Sequence, residues 1–195
     1  MKNKIYTVFT IILLTATIFI VYSKFNSVQK NKQLNEVLLT RHYSVQKLWQ
    51  NRELKFPKLL YNLRTQAKLE DFLSKNKKEF TIISYLNADC SNCVTELNKW
   101  TSFLDSNPVL SERTDIVFIA SSSNIELFKY QVYDKAKFEY NIFFDKKNEF
   151  VELNKISTIK TYQTFLLKNE KILYLGSPIR DKLFEEELKQ IIINY

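Results

Sequence analysis

The chain is predicted to fold as an α/β domain, a sheet covered by helices, set behind an N-terminal helical segment. Three observations carry that prediction. Runs rich in β-branched and aromatic residues alternate with runs at helical spacing through the C-terminal two thirds of the sequence. The only two cysteines stand as Cys90-Ser91-Asn92-Cys93, where a strand-like run gives way to a helix-like one. Ahead of all this lies an uncharged apolar stretch, Ile5 to Tyr22. At 195 residues, 45% hydrophobic and 14% aromatic, the chain has room for one ordinary domain plus an appendage.

The elements are read in order. Ile5 to Tyr22 is just long enough to span a bilayer as a helix. It ends in Phe19-Ile20-Val21-Tyr22 with no small-x-small cleavage pattern, so residues 1–22 are expected to be an uncleaved signal anchor. Residues 23–56 place Val28, Leu34, Val37, Leu38, Tyr43, Val45, Leu48 and Trp49 among polar residues, the pattern of a helical stalk, with Pro57 as its expected stop. The folded domain is then residues 57–195. Lys58 to Leu63 suits a short leading strand, and Gln66 to Leu73 a helix.

Phe80 to Leu86 reads as a buried strand. Val94 to Leu104 reads as a helix with Leu97, Trp100 and Leu104 on one face. Thr114 to Ala120 is a second buried strand, Asn124 to Ala136 a helix with Leu127, Tyr130, Val132 and Tyr133 facing in, and Tyr140 to Asp145 a third strand. Thr164 to Leu167 and Lys171 to Leu175, separated by Lys168-Asn169-Glu170, form a hairpin, and Asp181 to Ile193 closes the chain as an amphipathic helix.

The cysteine pair carries the chemistry. Cys90 falls at the mouth of a predicted helix, where free backbone N–H groups and the positive end of the helix dipole lower a thiol's pKa and favour the nucleophilic thiolate. Cys93, three positions on, is placed to attack a mixed disulfide formed at Cys90. Cys90 is thus the candidate nucleophile and Cys93 the candidate resolving thiol. A chance pair or a permanently closed structural disulfide are the competing readings. A four-ligand zinc site cannot be assembled from two cysteines and the single histidine, His42, and no cofactor is expected.

Charge sorts the partners. Residues 1–80 carry fifteen Lys and Arg against five Asp and Glu, net +10, whereas residues 81–195 carry fourteen against sixteen, net −2. The basic excess is juxtamembrane and suits anionic headgroups. A nucleic-acid surface would continue into the folded domain, so no nucleic-acid partner is expected. A single glycine, Gly176, leaves no glycine-rich phosphate loop. A papain-like hydrolase needs a histidine partner, and His42 lies in the stalk.

Strand, CxxC, helix, strand, helix, strand, hairpin and last helix together resemble the redoxin branch of the thioredoxin superfamily, the TlpA-like membrane-anchored thiol-disulfide oxidoreductases, over residues 57–195. The resemblance implies a thioredoxin-like three-layer α/β/α sandwich with a mixed central sheet. Tyr162-Gln163-Thr164-Phe165-Leu166-Leu167-Lys168 matches the family's segment leading into the hairpin, except that Tyr162 stands where the family has a cis proline facing the CxxC pair. A cis bond at a non-proline residue costs about 2.5–4 kcal/mol, so Tyr162 is expected to be trans. Asp89 stands where relatives often carry Trp, and its charge beside Cys90 opposes thiolate formation. Asp89, Ser91, Asn92, Thr161 and Tyr162 are the candidate substrate-groove residues.

The function this implies is a thiol-disulfide oxidoreductase tethered to the bilayer, its domain on the extracytoplasmic side, periplasmic in a two-membrane bacterium, because a disulfide persists outside the reducing cytosol. Its expected partners are cysteines of exported proteins and a membrane electron-transfer protein. The alternative is a catalytically inactive thioredoxin-fold module that binds or scaffolds at the membrane, with Cys90–Cys93 as an inert clip.

Overall fold

The computed structural model describes residues 2–75, 78–89 and 92–195, with side chains from residue 16 onward. The chain divides into two compact units, Met1–Lys47 and Leu48–Tyr195. The first is a single helix, the greater part of α1 (Lys2–Trp49). Among the described residues no helix is long and apolar enough to cross a membrane. Most of the apolar run Ile5 to Tyr22 falls on side chains outside the described ones. The expected stalk is helical, but it stops well before Pro57: after Trp49 the backbone turns out through Asn51, which takes a left-handed conformation with φ of 65°.

The second unit is built on a six-stranded mixed sheet. Its strands are β1 (Tyr61–Asn62), β2 (Phe80–Asn87), β3 (Thr114–Ser121), β4 (Asn141–Phe144), β5 (Thr164–Lys168) and β6 (Lys171–Leu175), in spatial order β1-β4-β3-β2-β5-β6. β2, β3 and β4 run parallel, β5 lies antiparallel to β2, β6 to β5, and β1 to β4. β2 therefore sits between a parallel and an antiparallel neighbour. Its sequence, seven of eight residues apolar, aromatic or hydroxylic and all but Thr81 and Asn87 buried, suits that central place.

The pleat sends alternate side chains to opposite faces. One face gathers Phe80, Ile82, Leu86, Ile116, Phe118, Ala120, Ile142, Leu166 and Tyr174 into one buried cluster. It is covered by α3 (Cys93–Asp105), α4 (Pro108–Arg113), α5 (Ile125–Lys129) with the π-helical turn that follows it, and α7 (Lys182–Asn194). Trp100 of α3 is fully buried, edge-on to Phe103 and Phe118. The other face packs Phe143 against Phe72 of α2 (Leu69–Lys75), Phe165 against Trp49, and carries Phe150 of α6 (Glu149–Asn154), stacked on Phe56. The expected α/β domain with a mixed, helix-covered sheet is what the structure contains.

One further element differs from expectation. The helix after β3 is α-helical only to Lys129 and then widens into a π-helix, Tyr130–Lys135. Phe128 and Val132, four residues apart, form the buried face, while Leu127 and Tyr130, expected inside, are exposed. The lone glycine has a packing reason. A Cβ on Gly176 would lie 2.8 Å from the Phe184 ring of α7, closer than any real contact, so only glycine lets α7 close onto the sheet here.

Candidate redox site and the groove beside it

The ladder between β2 and β3 continues past the last strand residue, with Ala88 N–H donating to the Ser121 carbonyl at 2.8 Å. Two residues of turn then lead toward α3. Asp89 fixes this turn. Its N–H donates to the Asn87 side chain at 3.1 Å, and its carboxylate accepts from the Ser123 N–H (2.7 Å), the Ser122 hydroxyl (2.9 Å) and the Ser123 hydroxyl (3.0 Å). Those donors, the Ser123 amide foremost, hold its pKa below the usual 3.8. The strand end behind the turn is pinned by the buried Tyr85, whose hydroxyl bonds Ser121 at 2.7 Å and donates to Asn148 at 2.8 Å. Burial pushes the pKa of this phenol up.

Cys93 is the first residue of α3, with Asn92 as its N-cap, and the Glu96 N–H closes the first helical turn on the Asn92 carbonyl at 3.0 Å. The Cys93 thiol is buried and donates to the Ala88 carbonyl at 3.7 Å. Strand end and helix start are thus joined through the sulfur itself. Cys90 and Ser91, the candidate nucleophile and one of the candidate groove residues, lie outside the described residues.

A surface groove of about 310 Å³ opens beside this helix start, lined by Asn92, Thr95, Glu96, Lys99, Lys160, Ile179 and Arg180. Glu96 is its centre. The carboxylate is mostly shielded from solvent, pairs with Lys160 at 3.8 Å, and is in ion-pair contact with Arg180. Of the candidate groove residues, Asn92 lines this space; Asp89 is engaged by the Ser122–Ser123 loop instead. Thr161 and Tyr162 sit in a short 3-10 turn, Lys160–Tyr162, just before β5, and do not line the groove. Their neighbour Lys160 does.

Tyr162 is built into the fold. Its N–H donates to the Ile159 carbonyl at 2.9 Å, and its ring meets Phe184 of α7 edge-on. No cis peptide occurs among the described residues, in line with the trans Tyr162 expected. Proline at this place would delete the Ile159 bond and the ring contact together, so the position is not the open pre-strand site that the family pattern suggests. The residues missed from sequence, Glu96, Lys99, Lys160 and Arg180, come from three separate segments. Only Glu96 and Lys99, a helical turn apart on the polar side of α3, left any trace there.

The sequence matches no protein-family model and no curated protein. Solved structures do match. The thioredoxin domain of a thiol-disulfide oxidoreductase from Bacteroides vulgatus superposes with a TM-score of 0.55 at 16% identity, covering 73% of this chain and 97% of that one. The fold is thioredoxin-like. A domain of a possible thiol-disulfide isomerase from Cytophaga hutchinsonii gives a TM-score of 0.55 at 14% identity, covering 75% and 97%. A putative thiol:disulfide interchange protein DsbE from Chlorobium tepidum gives 0.54 at 15%, covering 74% and 96%. At such identities the likeness is one of fold alone.

Proposed function

We propose that the protein is a thiol-disulfide oxidoreductase working through Cys90 and Cys93. The observation that carries the proposal is the position of Cys93. It is buried at the first turn of a thirteen-residue helix and hydrogen-bonded back to Ala88 at the end of β2, where a thiol is protected from outside disulfides, and it stands three positions along the sequence from Cys90. In the reducing direction, the Cys90 thiolate attacks a substrate disulfide, forming one S–S bond while the other substrate sulfur leaves as a thiolate. Cys93, deprotonated, then attacks the Cys90 sulfur. The second substrate sulfur leaves, Cys90–Cys93 is oxidised by two electrons, and the substrate carries two thiols. A dithiol donor restores the pair.

Residues 1–22 anchor the chain in a bilayer in this reading, and the second unit acts outside the cytosol on exported proteins, with a membrane redox protein as its electron partner. One observation favours the scaffolding alternative. Tyr162 is locked by its hydrogen bond and its ring contact where redox-active relatives keep a proline. Trapping separates the two. Cys93→Ser should accumulate mixed disulfides with exported proteins, because the Cys90 adduct cannot be resolved, whereas Cys90→Ser should trap few. Equal trapping by both variants, or none by either, would favour the scaffold.

A further inference from the structure

We infer that a second pocket, at the carboxyl end of β4, binds a small amphiphilic carboxylate: one aromatic ring or short aliphatic chain carrying a single negative charge. The pocket has a volume of about 320 Å³ and shares no residue with the groove beside α3. Its lining comes wholly from the second unit, at the end of an open α/β sheet where ligands are generally held. Tyr61 stands opposite Phe144 in the antiparallel β1–β4 ladder, so both rings leave the sheet on the same side. Leu63 belongs to the buried cluster, and Phe144 and Ile125, at the start of α5, pack against that cluster while lining the pocket. The floor is therefore the edge of the core itself. Leu59 adds an apolar side chain that is 63% exposed. Small-molecule sites are mostly apolar and run from about 300 to 1,000 Å³, so this one takes a single ring or short chain and is too small for a helix.

Charge fixes the head group. The ionisable side chains of the lining, apart from Tyr61, are Lys129, Lys146, Lys147, Asp145 and Glu149. Asp145 is buried, and its carboxylate accepts from the N–H groups of Glu149 at 3.1 Å and Phe150 at 2.7 Å. Glu149 pairs with Lys147 at 3.8 Å, and Lys129 pairs with Glu126 at 3.1 Å. Lys146, exposed, makes no ion pair with any described residue. Each of these carboxylates thus has a partner within the chain, and one ammonium group is left over beside an apolar floor. An apolar body with one anionic head satisfies both; a neutral ligand leaves Lys146 unused, and a cationic one is repelled by it.

The test titrates the isotope-labelled full-length protein in detergent with phenylacetate, phenylacetamide and phenethylamine, which share a ring and differ in charge, and follows the backbone amide resonances of Ile125, Asp145 and Lys146. At low ionic strength the acid should shift these amides with a Kd in the low millimolar range, as so small a ligand allows. It should bind about threefold more tightly than the amide, the size expected of one exposed charge contact, with the amine weakest. The acid's advantage should shrink toward unity at about 1 M salt, where the Debye length is about 3 Å. Lys146→Gln, an exposed substitution, should bring the Kd of the acid to that of the amide, and Leu59→Ser, also exposed, should weaken all three probes. Equal affinity for the three probes, tighter binding of the amine, or no shift at these amides with any probe would overturn the inference. Shifts of the same amides on raising the protein concentration without a probe would assign the pocket to a second copy of the chain, and would overturn it too.

Discussion

Asp89 and Cys93 divide the work of the strand-to-helix turn. Cys93 ties the helix start to Ala88, and Asp89, the next residue after Ala88, accepts hydrogen bonds from Ser122 and Ser123 through its own carboxylate. Because those donors depress the Asp89 pKa below 3.8, the carboxylate contributes stability that is complete above the ordinary carboxylate range and is lost as pH falls through the depressed native value. Asp89→Asn should therefore lower the urea midpoint near neutral pH, and the gap to wild type should close in acid. A gap that persists unchanged at the lowest pH would show that the hydrogen bonds and not the charge matter. The same variant removes a negative charge next to Cys90. In a Cys93→Ser background, the pH midpoint of Cys90 alkylation should move down, since the thiolate is no longer opposed.

The strands were readable because β-branched and aromatic residues cluster in them, and β2, β3 and the β5–β6 hairpin fall within a residue or so of expectation. The short helices α4 and α6, six residues each, were not, because neither spans enough turns to show a period. The inward face of the helix after β3 was misread because apolar and aromatic residues stand on both sides of it, Leu127 and Tyr130 as well as Phe128 and Val132, and composition alone does not choose between them. The turn of the hairpin shows how a chain with one glycine manages. Asn169 and Glu170 both take positive φ, 51° and 66°, the two-residue arrangement usually served by Asn-Gly. A left-handed conformation costs a side-chain-bearing residue about 1–2 kcal/mol, partly offset by the greater unfolded-state freedom of glycine. Glu170→Gly should thus stabilise the second unit by roughly 0.5–1 kcal/mol in urea denaturation. A loss of stability would mean that the turn is not left-handed at this residue.

For the chain as a whole, the mixed, helix-covered sheet was legible, while the groove was not, since its lining comes from α3, from the turn before β5 and from the loop before α7, which are far apart in the sequence. If the proposed anchor holds the second unit outside the cytosol, a membrane-impermeant thiol reagent added to intact, reductant-treated cells or spheroplasts should label Cys90; labelling only after lysis would overturn the extracytoplasmic placement. The most direct measurement of all is the reduction potential of the Cys90–Cys93 pair in the full-length protein, equilibrated against graded thiol–disulfide buffers. A cycling pair should titrate as one two-electron couple between about −270 and −120 mV, the span of thioredoxin-fold redox proteins. A pair that stays oxidised below about −300 mV would be a structural disulfide, and the oxidoreductase reading would fall.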